Sequence, residues 1–168
     1  MHIVDDQDNL LAYKERAKID FDHEIYRVSS LWLTNSQGDI LIAQRKVSKD
    51  YDGGKWGPAV AGTVEEGEDY EQNIYKEAQE EIGLTGVSFR LGPKQRFTAP
   101  RNYFGQWFLV VVDCDPADFT VQPEEVEAVA WITPAQLAKE IVATPQKYIA
   151  DMPAIVELFL GHAPAVKP

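Results

Sequence analysis

The chain holds a single cysteine, Cys114, among 168 residues. One thiol cannot form an internal disulfide, and such cysteine usage suits a reducing cytoplasm. Cys114 follows an apolar run and is read as a small core residue. Histidine is almost as scarce, at His2, His23 and His162. The long middle of the chain therefore has no histidine to offer as a metal ligand or a general base. Positive charge is short as well. There are 16 Lys and Arg against 27 Asp and Glu, a formal net charge of −11. That excludes a nucleic-acid partner held by a basic surface. It also means that overall charge does not draw in an anionic substrate. Long apolar runs are missing too. Trp107 to Val112 is far too short to span a bilayer and reads as a buried strand. The first residues, Met1 to Asn9, are acidic and lack the apolar stretch of a signal peptide, so no membrane association is expected.

What is present fits one globular domain. The apolar fraction is 45%, with four tryptophans, and the length suffices for a sizeable core. Turn-forming residues divide the chain. Asp5 to Asn9 separates two short apolar runs, which predicts a hairpin within an N-terminal extension over 1–24. Tyr26 to Thr34 and Asp39 to Arg45 read as strands joined by Asn35-Ser36-Gln37-Gly38. Val47 to Gly57 reads as a loop and Pro58 to Ala61 as a short strand. Val87 to Leu91, Arg96 to Thr98, Asn102 to Cys114 and Val126 to Ile132 are extended segments. Thr133 is a predicted N-cap with Pro134 in the first turn, and a last helix spans Met152 to Leu160. Residues 161–168 look like a frayed tail beyond a domain of 1–160. Strands flanked by helices imply an α/β fold, a mixed β-sheet between helical layers.

The most informative stretch runs from Gly62 to Leu84. The periodicity predicts a helix from Asp69 to Ile82. Ile74, Ala78 and Ile82 form an apolar stripe at i, i+4 and i+8. Glu77, Glu80 and Glu81 stand at i, i+3 and i+4 on a separate arc. Three adjacent carboxylates repel one another, and a hard cation such as Mg²⁺ or Mn²⁺ removes that cost. Gly62 and Gly67 bracket the helix entry, and Gly83 is placed to cap its end. A solvated acidic face is the usual meaning of such glutamates, but it does not require the glycines.

Gly62, Glu68, Glu77, Glu80, Glu81 and Gly83 stand at the spacings of the Nudix box, which this segment resembles. Six matches at fixed positions arise by chance on the order of once in ten million windows, taking about 7% per residue type. Lys76 stands where that family has Arg, the clear departure. The resemblance implies a Nudix α/β/α sandwich with its loop-helix-loop. It further implies a hydrolase that uses Mg²⁺ or Mn²⁺ to cleave a small-molecule diphosphate, with Glu77, Glu80 and Glu81 as metal ligands. Gly62 would let backbone approach the substrate. The segment Glu124 to Pro134 resembles the family's late acidic loop, strand and helix start. There Glu125 is the best candidate for a further catalytic carboxylate, then Glu124 and Glu127. The general base stays open among Glu77, Glu80 and Glu125. Arg27, Arg45, Lys55 and Arg96 are candidate phosphate contacts. Trp56, Phe97 and Tyr103 are candidate stacking residues, with core packing as the ordinary alternative.

Within that family the chain is similar to the isopentenyl-diphosphate isomerase-like subgroup. The resemblance rests on Ile3-Val4-Asp5, Tyr26-Arg27-Val28-Ser29, Leu41 to Arg45, and Lys55 to Gly62. True isomerases carry a catalytic Cys and metal-binding His residues around these segments. Here the segments hold neither, and Thr63 follows Gly62 in place of His. The expectation is a hydrolase on an isomerase-like scaffold. The alternatives are an isomerase-type enzyme and a non-catalytic ligand-binding domain. A homodimer is compatible with the composition.

Overall fold

The computed structural model describes residues 1–161; 162–168 of the expected tail lie outside them. One nine-stranded sheet organises the chain. Its strands are β1 (His2–Val4), β2 (Leu10–Tyr13), β3 (Ile25–Thr34), β4 (Ile40–Arg45) and β5 (Trp56–Pro58). They continue as β6 (Val60–Thr63), β7 (Arg90–Phe97), β8 (Tyr103–Val111) and β9 (Val126–Ile132). Helices α1 (Tyr70–Ile82), α2 (Pro134–Ala143) and α3 (Met152–Leu160) cover its faces.

β3 is the hub. It runs parallel to β8 from Tyr26↔Tyr103 to Thr34↔Val111, and antiparallel to β1 and β6. The parallel pair among antiparallel neighbours makes the sheet mixed, as the sequence predicts. Side chains alternate across the pleat with period two. Leu31 and Leu33 of β3, Leu41 of β4 and Phe108 of β8 therefore join the core that α1 closes with Ile74, Ala78 and Ile82. Trp32, Ile40, Ile42 and Trp107 point the other way, into the core that α2 and α3 close with Leu137, Ile141, Ile155 and Val156. Each such aliphatic side chain contributes roughly 1.5–3 kcal/mol by leaving water. The two cores make the helix–sheet–helix sandwich.

Helix α1 is fixed at both ends. Asp69 caps it: its carboxylate accepts from the Gln72 backbone N–H at 2.8 Å, and the Asp69 N–H donates to the Gln72 side chain at 2.9 Å. Gly83 closes it in the left-handed region, at φ 68°. Ile74, Ala78 and Ile82 are fully buried, so the predicted apolar stripe is the packing face. Thr133 caps α2 through its side chain, with Pro134 in the first turn.

Some boundaries differ from the sequence reading. The expected loop from Val47 to Gly57 ends earlier, because Trp56 already pairs with Gln44. The short strand expected at Pro58 to Ala61 is divided between β5 and β6, with Ala59 between them. The two extended pieces expected around 87–98 are one strand, β7, whose register against β8 shifts between Leu91 and Lys94. β8 ends at Val111, and Cys114 lies beyond it, half-buried, in a turn region. In the Asp-rich stretch that follows, Asp113 accepts from the Ser36 N–H of the β3–β4 turn, and Asp115 accepts from the Ala117 N–H.

Asp69→Ala removes the cap acceptor and should lower the free energy of unfolding by about 1 kcal/mol. Urea unfolding should show an earlier midpoint with an unchanged slope.

Candidate active site

The polar side of α1 faces an open cavity of about 800 Å³. Glu77, Glu80 and Glu81 all line it. Gly62 and Thr63 of β6 and Arg45 of β4 form the adjoining wall, and Glu125 arrives from the loop before β9. The one-face spacing read from the sequence thus becomes one lining, and Glu125 joins it from 44 positions beyond Glu81 in the chain.

The electrostatics of this end are strained. The Glu81 carboxyl lies deep among protein atoms, although part of the side chain meets the cavity. Its one hydrogen-bond donor is the Ala61 backbone N–H at 3.4 Å. Burial, then the neighbouring Glu77 charge, pushes it up to about 8 from an ordinary 4.5. Glu77 is also raised, first by burial and then by Glu80, against the pull of Lys76. Glu80 is exposed. Among the described residues no three acidic, His or Cys side chains already converge as a ligand set. The donor set nevertheless fits a hard divalent cation. All the donors are carboxylate oxygens on flexible stems, and Lys76 near Glu77 and Lys49 at Glu125 offset only part of their charge.

Neighbours hold the glutamates in place. Lys76 Nζ lies 2.7 Å from Glu68, 3.5 Å from Glu65 and 3.7 Å from Glu77. Asn73, fully buried, donates to Glu68 at 2.9 Å, to Glu77 at 3.2 Å and to the Thr63 carbonyl at 3.1 Å. The Ser29 hydroxyl hydrogen-bonds the Asn73 side-chain oxygen. Gly62 has a task besides the one expected of it. A β-carbon there would stand 2.3 Å from the Glu77 carboxyl carbon. Its missing side chain makes room for Glu77, while its backbone still lines the cavity.

The sequence-predicted cations separate. Arg45 lines the cavity, with Nε donating to the Tyr51 carbonyl at 3.2 Å. Arg27 does not. It pairs with Asp8 at 2.7 Å and contacts His2 at 3.0 Å, tying the N-terminal hairpin to β3. Lys55 pairs with Asp52 at 2.6 Å and also stays out of the lining. Arg96 is spent on the Tyr103 carbonyl, at 3.3 Å, and on Asn102, and lies over Phe104. Arg27 meets acceptors from a distant segment, whereas Lys55 and Arg96 meet near neighbours in the chain, Asp52 three residues away and Asn102 and Tyr103 six and seven away. Of the acidic loop residues, Glu125 reaches the cavity and pairs with Lys49, whereas Glu127 pairs with Lys46 at 2.8 Å and Glu124 is exposed. Trp56 and Phe97 pack in the core, and Tyr103 lines the cavity with its hydroxyl on Asp151 at 2.9 Å.

Several residues of the site, in the lining or supporting it, were not singled out from the sequence. Asn73 had a signal: a polar residue beside the apolar stripe, four positions before Glu77. Arg16, Phe21, Tyr51, Arg101 and Asp151 had none. They come from four separate segments that only the fold assembles.

The NUDIX domain model matches residues 25–152. An uncharacterised Nudix hydrolase of Yersinia pestis is 29% identical over 158 residues, covering 94% of this chain and 84% of its own length. An uncharacterised Nudix hydrolase of Pseudomonas aeruginosa is 29% identical over 157 residues, with coverage of 94% and 90%. The crystal structure of DR0079 from Deinococcus radiodurans superposes with a TM-score of 0.83 at 24% identity, covering 94% of this chain and 98% of that one. No helix among the described residues is long and apolar enough to cross a membrane. With the box glutamates lining one cavity of the matching fold, this chain belongs to the Nudix family of hydrolases.

Proposed function

We propose that the chain uses Mg²⁺ or Mn²⁺ to hydrolyse a diphosphate linkage by attack of water on phosphorus. The observation that carries this reading is the shared lining by Glu77, Glu80, Glu81 and Glu125 of one open cavity. Glu77, Glu80 and Glu81 would hold the cation. Bound there, it would neutralise phosphate charge and lower the pKa of water. Lys76 and Asn73 orient Glu77 and Glu68. Arg45 is the phosphate contact at this end. Glu125, which shares the lining and pairs with Lys49, would take the proton of the attacking water. The bridging oxygen leaves with the departing phosphate.

Hydrolysis is favoured over isomerisation by the character of the lining. The described residues around the cavity include no Cys and no His. Proton transfer to and from an isoprenoid carbon would lack those groups. The isopentenyl-diphosphate isomerase-like resemblance is read as a scaffold likeness alone.

A screen of organic diphosphates with Mg²⁺ tests the activity, with Glu81→Gln as control. Turnover should fall by at least about a hundredfold in the variant, the scale expected when a metal ligand is lost. Unchanged turnover would sink the metal-site assignment.

The same variant has a pH signature without metal. The folded value of about 8 lies above the ordinary 4.5, so burying Glu81 favours the fold only while it is protonated. Its contribution is complete below pH 4.5 and is lost as pH rises through 8. In chelator, Glu81→Gln should match the parent near pH 4 and melt higher than it near pH 9.

Gly62→Ala should fold nearly as well, because the atoms it meets belong to a flexible side chain, yet activity should drop by about tenfold or more as Glu77 is displaced. Equal activity with an unchanged Mg²⁺ dependence would show that Glu77 does not need that space.

Lys76→Ala should raise the Mg²⁺ concentration for half-maximal rate several-fold, and Lys76→Arg should restore it. Identical Mg²⁺ titrations would leave Lys76 a surface ion pair worth about 0–1 kcal/mol.

A further inference from the structure

The cavity has a second end that the hydrolytic reading does not use. In this acidic protein most cations are already paired. Among the described residues, Arg16, Arg45, Arg90, Arg101 and Lys139 have no carboxylate within ion-pair distance. Arg16, Arg45 and Arg101 line the cavity. Arg45 belongs to the carboxylate end, where its charge is felt by Glu81. Arg16 and Arg101 belong to the other end, where theirs is felt by Tyr26.

Arg101 is held in a defined way. Its guanidinium carbon lies 4.5 Å from the Phe21 ring centre and 4.1 Å from that of Tyr51. Arg16 lies over the same Phe21 ring at 5.6 Å. A guanidinium held against rings still offers N–H groups that match an oxyanion with parallel hydrogen bonds, and the Tyr51 hydroxyl lies close to it. Stacking also restricts the side chain in advance, so less freedom is lost on binding. Of the acids in the lining, Asp151 feels the Arg101 charge but lies beyond ion-pair distance of it. Asp151 accepts from Tyr103, and Asp52 pairs with Lys55. Phe21 and Arg16 lie before residue 25, outside the segment that matches the family domain.

We infer that Arg101, held against the Phe21 and Tyr51 rings and accompanied by Arg16, forms a second oxyanion subsite, so that the preferred substrate carries an anionic group at the end remote from the scissile diphosphate. The N-terminal extension is then a specificity element. The inference rests on the proposed diphosphate hydrolysis for its orientation, since the carboxylates define the reacting end. A terminal phosphomonoester and a carboxylate both satisfy the chemistry.

Two substrate pairs distinguish the sources. Coenzyme A against dephospho-coenzyme A isolates a phosphate, and UDP-glucuronate against UDP-glucose isolates a carboxylate. The parent protein should favour the anionic member of at least one pair in kcat/KM by about tenfold or more, the scale of one charged hydrogen bond. Arg101→Met should erase that preference through KM and leave kcat/KM for the neutral member unchanged. Arg16→Ala, at an exposed position, should reduce it without any burden on folding. Arg101→Lys should restore part of it, because it keeps the charge and loses the fork. Equal use of both members in both pairs overturns the subsite, as does an equal loss for both members in Arg101→Met. If none of the four is hydrolysed, their shifts of the melting temperature with Mg²⁺ present are compared. An Arg101-dependent advantage of the anionic member then keeps the subsite while the hydrolytic reading fails. No such advantage overturns the subsite.

Discussion

The site depends on a concentration of carboxylate charge that the fold itself does not neutralise. Glu81 lies deep against β6 with one backbone donor at 3.4 Å. Glu77 presses into the space that Gly62 leaves open. A helix face of this kind is stable only if its other face is strongly anchored. Ile74, Ala78 and Ile82, all fully buried, supply that anchor. The Asp69 and Gly83 caps fix where the helix begins and ends, and so fix which residues face the cavity. The hydrophobic stripe thereby holds the acidic arc in place, and the arc sets the chemistry.

Positioning comes from groups that do not themselves face the reaction. Asn73 bridges Glu68, Glu77 and the Thr63 carbonyl, and is itself held by Ser29 of the central strand. This links the helix to β3 and β6 through polar contacts inside an apolar seam. A buried amide with each of its groups engaged restricts its neighbours, because any other arrangement strands a polar atom away from water. Lys76 does the related work at the surface edge, near three glutamates at once. An ammonium is a point charge on a flexible stem, so it can sit among several carboxylates without the fixed fork geometry of a guanidinium.

The cavity is asymmetric. One end is acidic and suited to a cation; the other is aromatic and carries unpaired guanidinium groups. Arg45 lies between them, through its bond to the Tyr51 carbonyl. With a net charge of −11, the surface as a whole repels anions, and the exceptions are local. The N-terminal hairpin and the segment after it matter here. Asp8, Arg27 and Tyr70 fasten the hairpin to the sheet and to α1, and the same extension carries Arg16 and Phe21 to the cavity. Arg27, expected to touch phosphate, thus serves the site indirectly.

The sequence by itself determined the elements whose signals are periodic and local. The Gly62–Leu84 spacing defined the helix, both of its faces and its cap at Gly83. The segments 126–132 and 152–160 were legible because alternation, Thr133-Pro134 and a final apolar run mark them without reference to the rest of the chain. Strand β7 was not legible as one element, because Gly92 and Pro93 interrupt its register, and only the pairing with β8 on both sides of them joins the two pieces. Which cations serve the cavity was decided by tertiary structure alone. Arg27, Lys55 and Arg96 differ from Arg16, Arg45 and Arg101 in what each one meets in space: Asp8 and His2 for Arg27, Asp52 for Lys55, Asn102 and the Tyr103 carbonyl for Arg96. Charge is a property of a residue; whether it is already neutralised is a property of the fold.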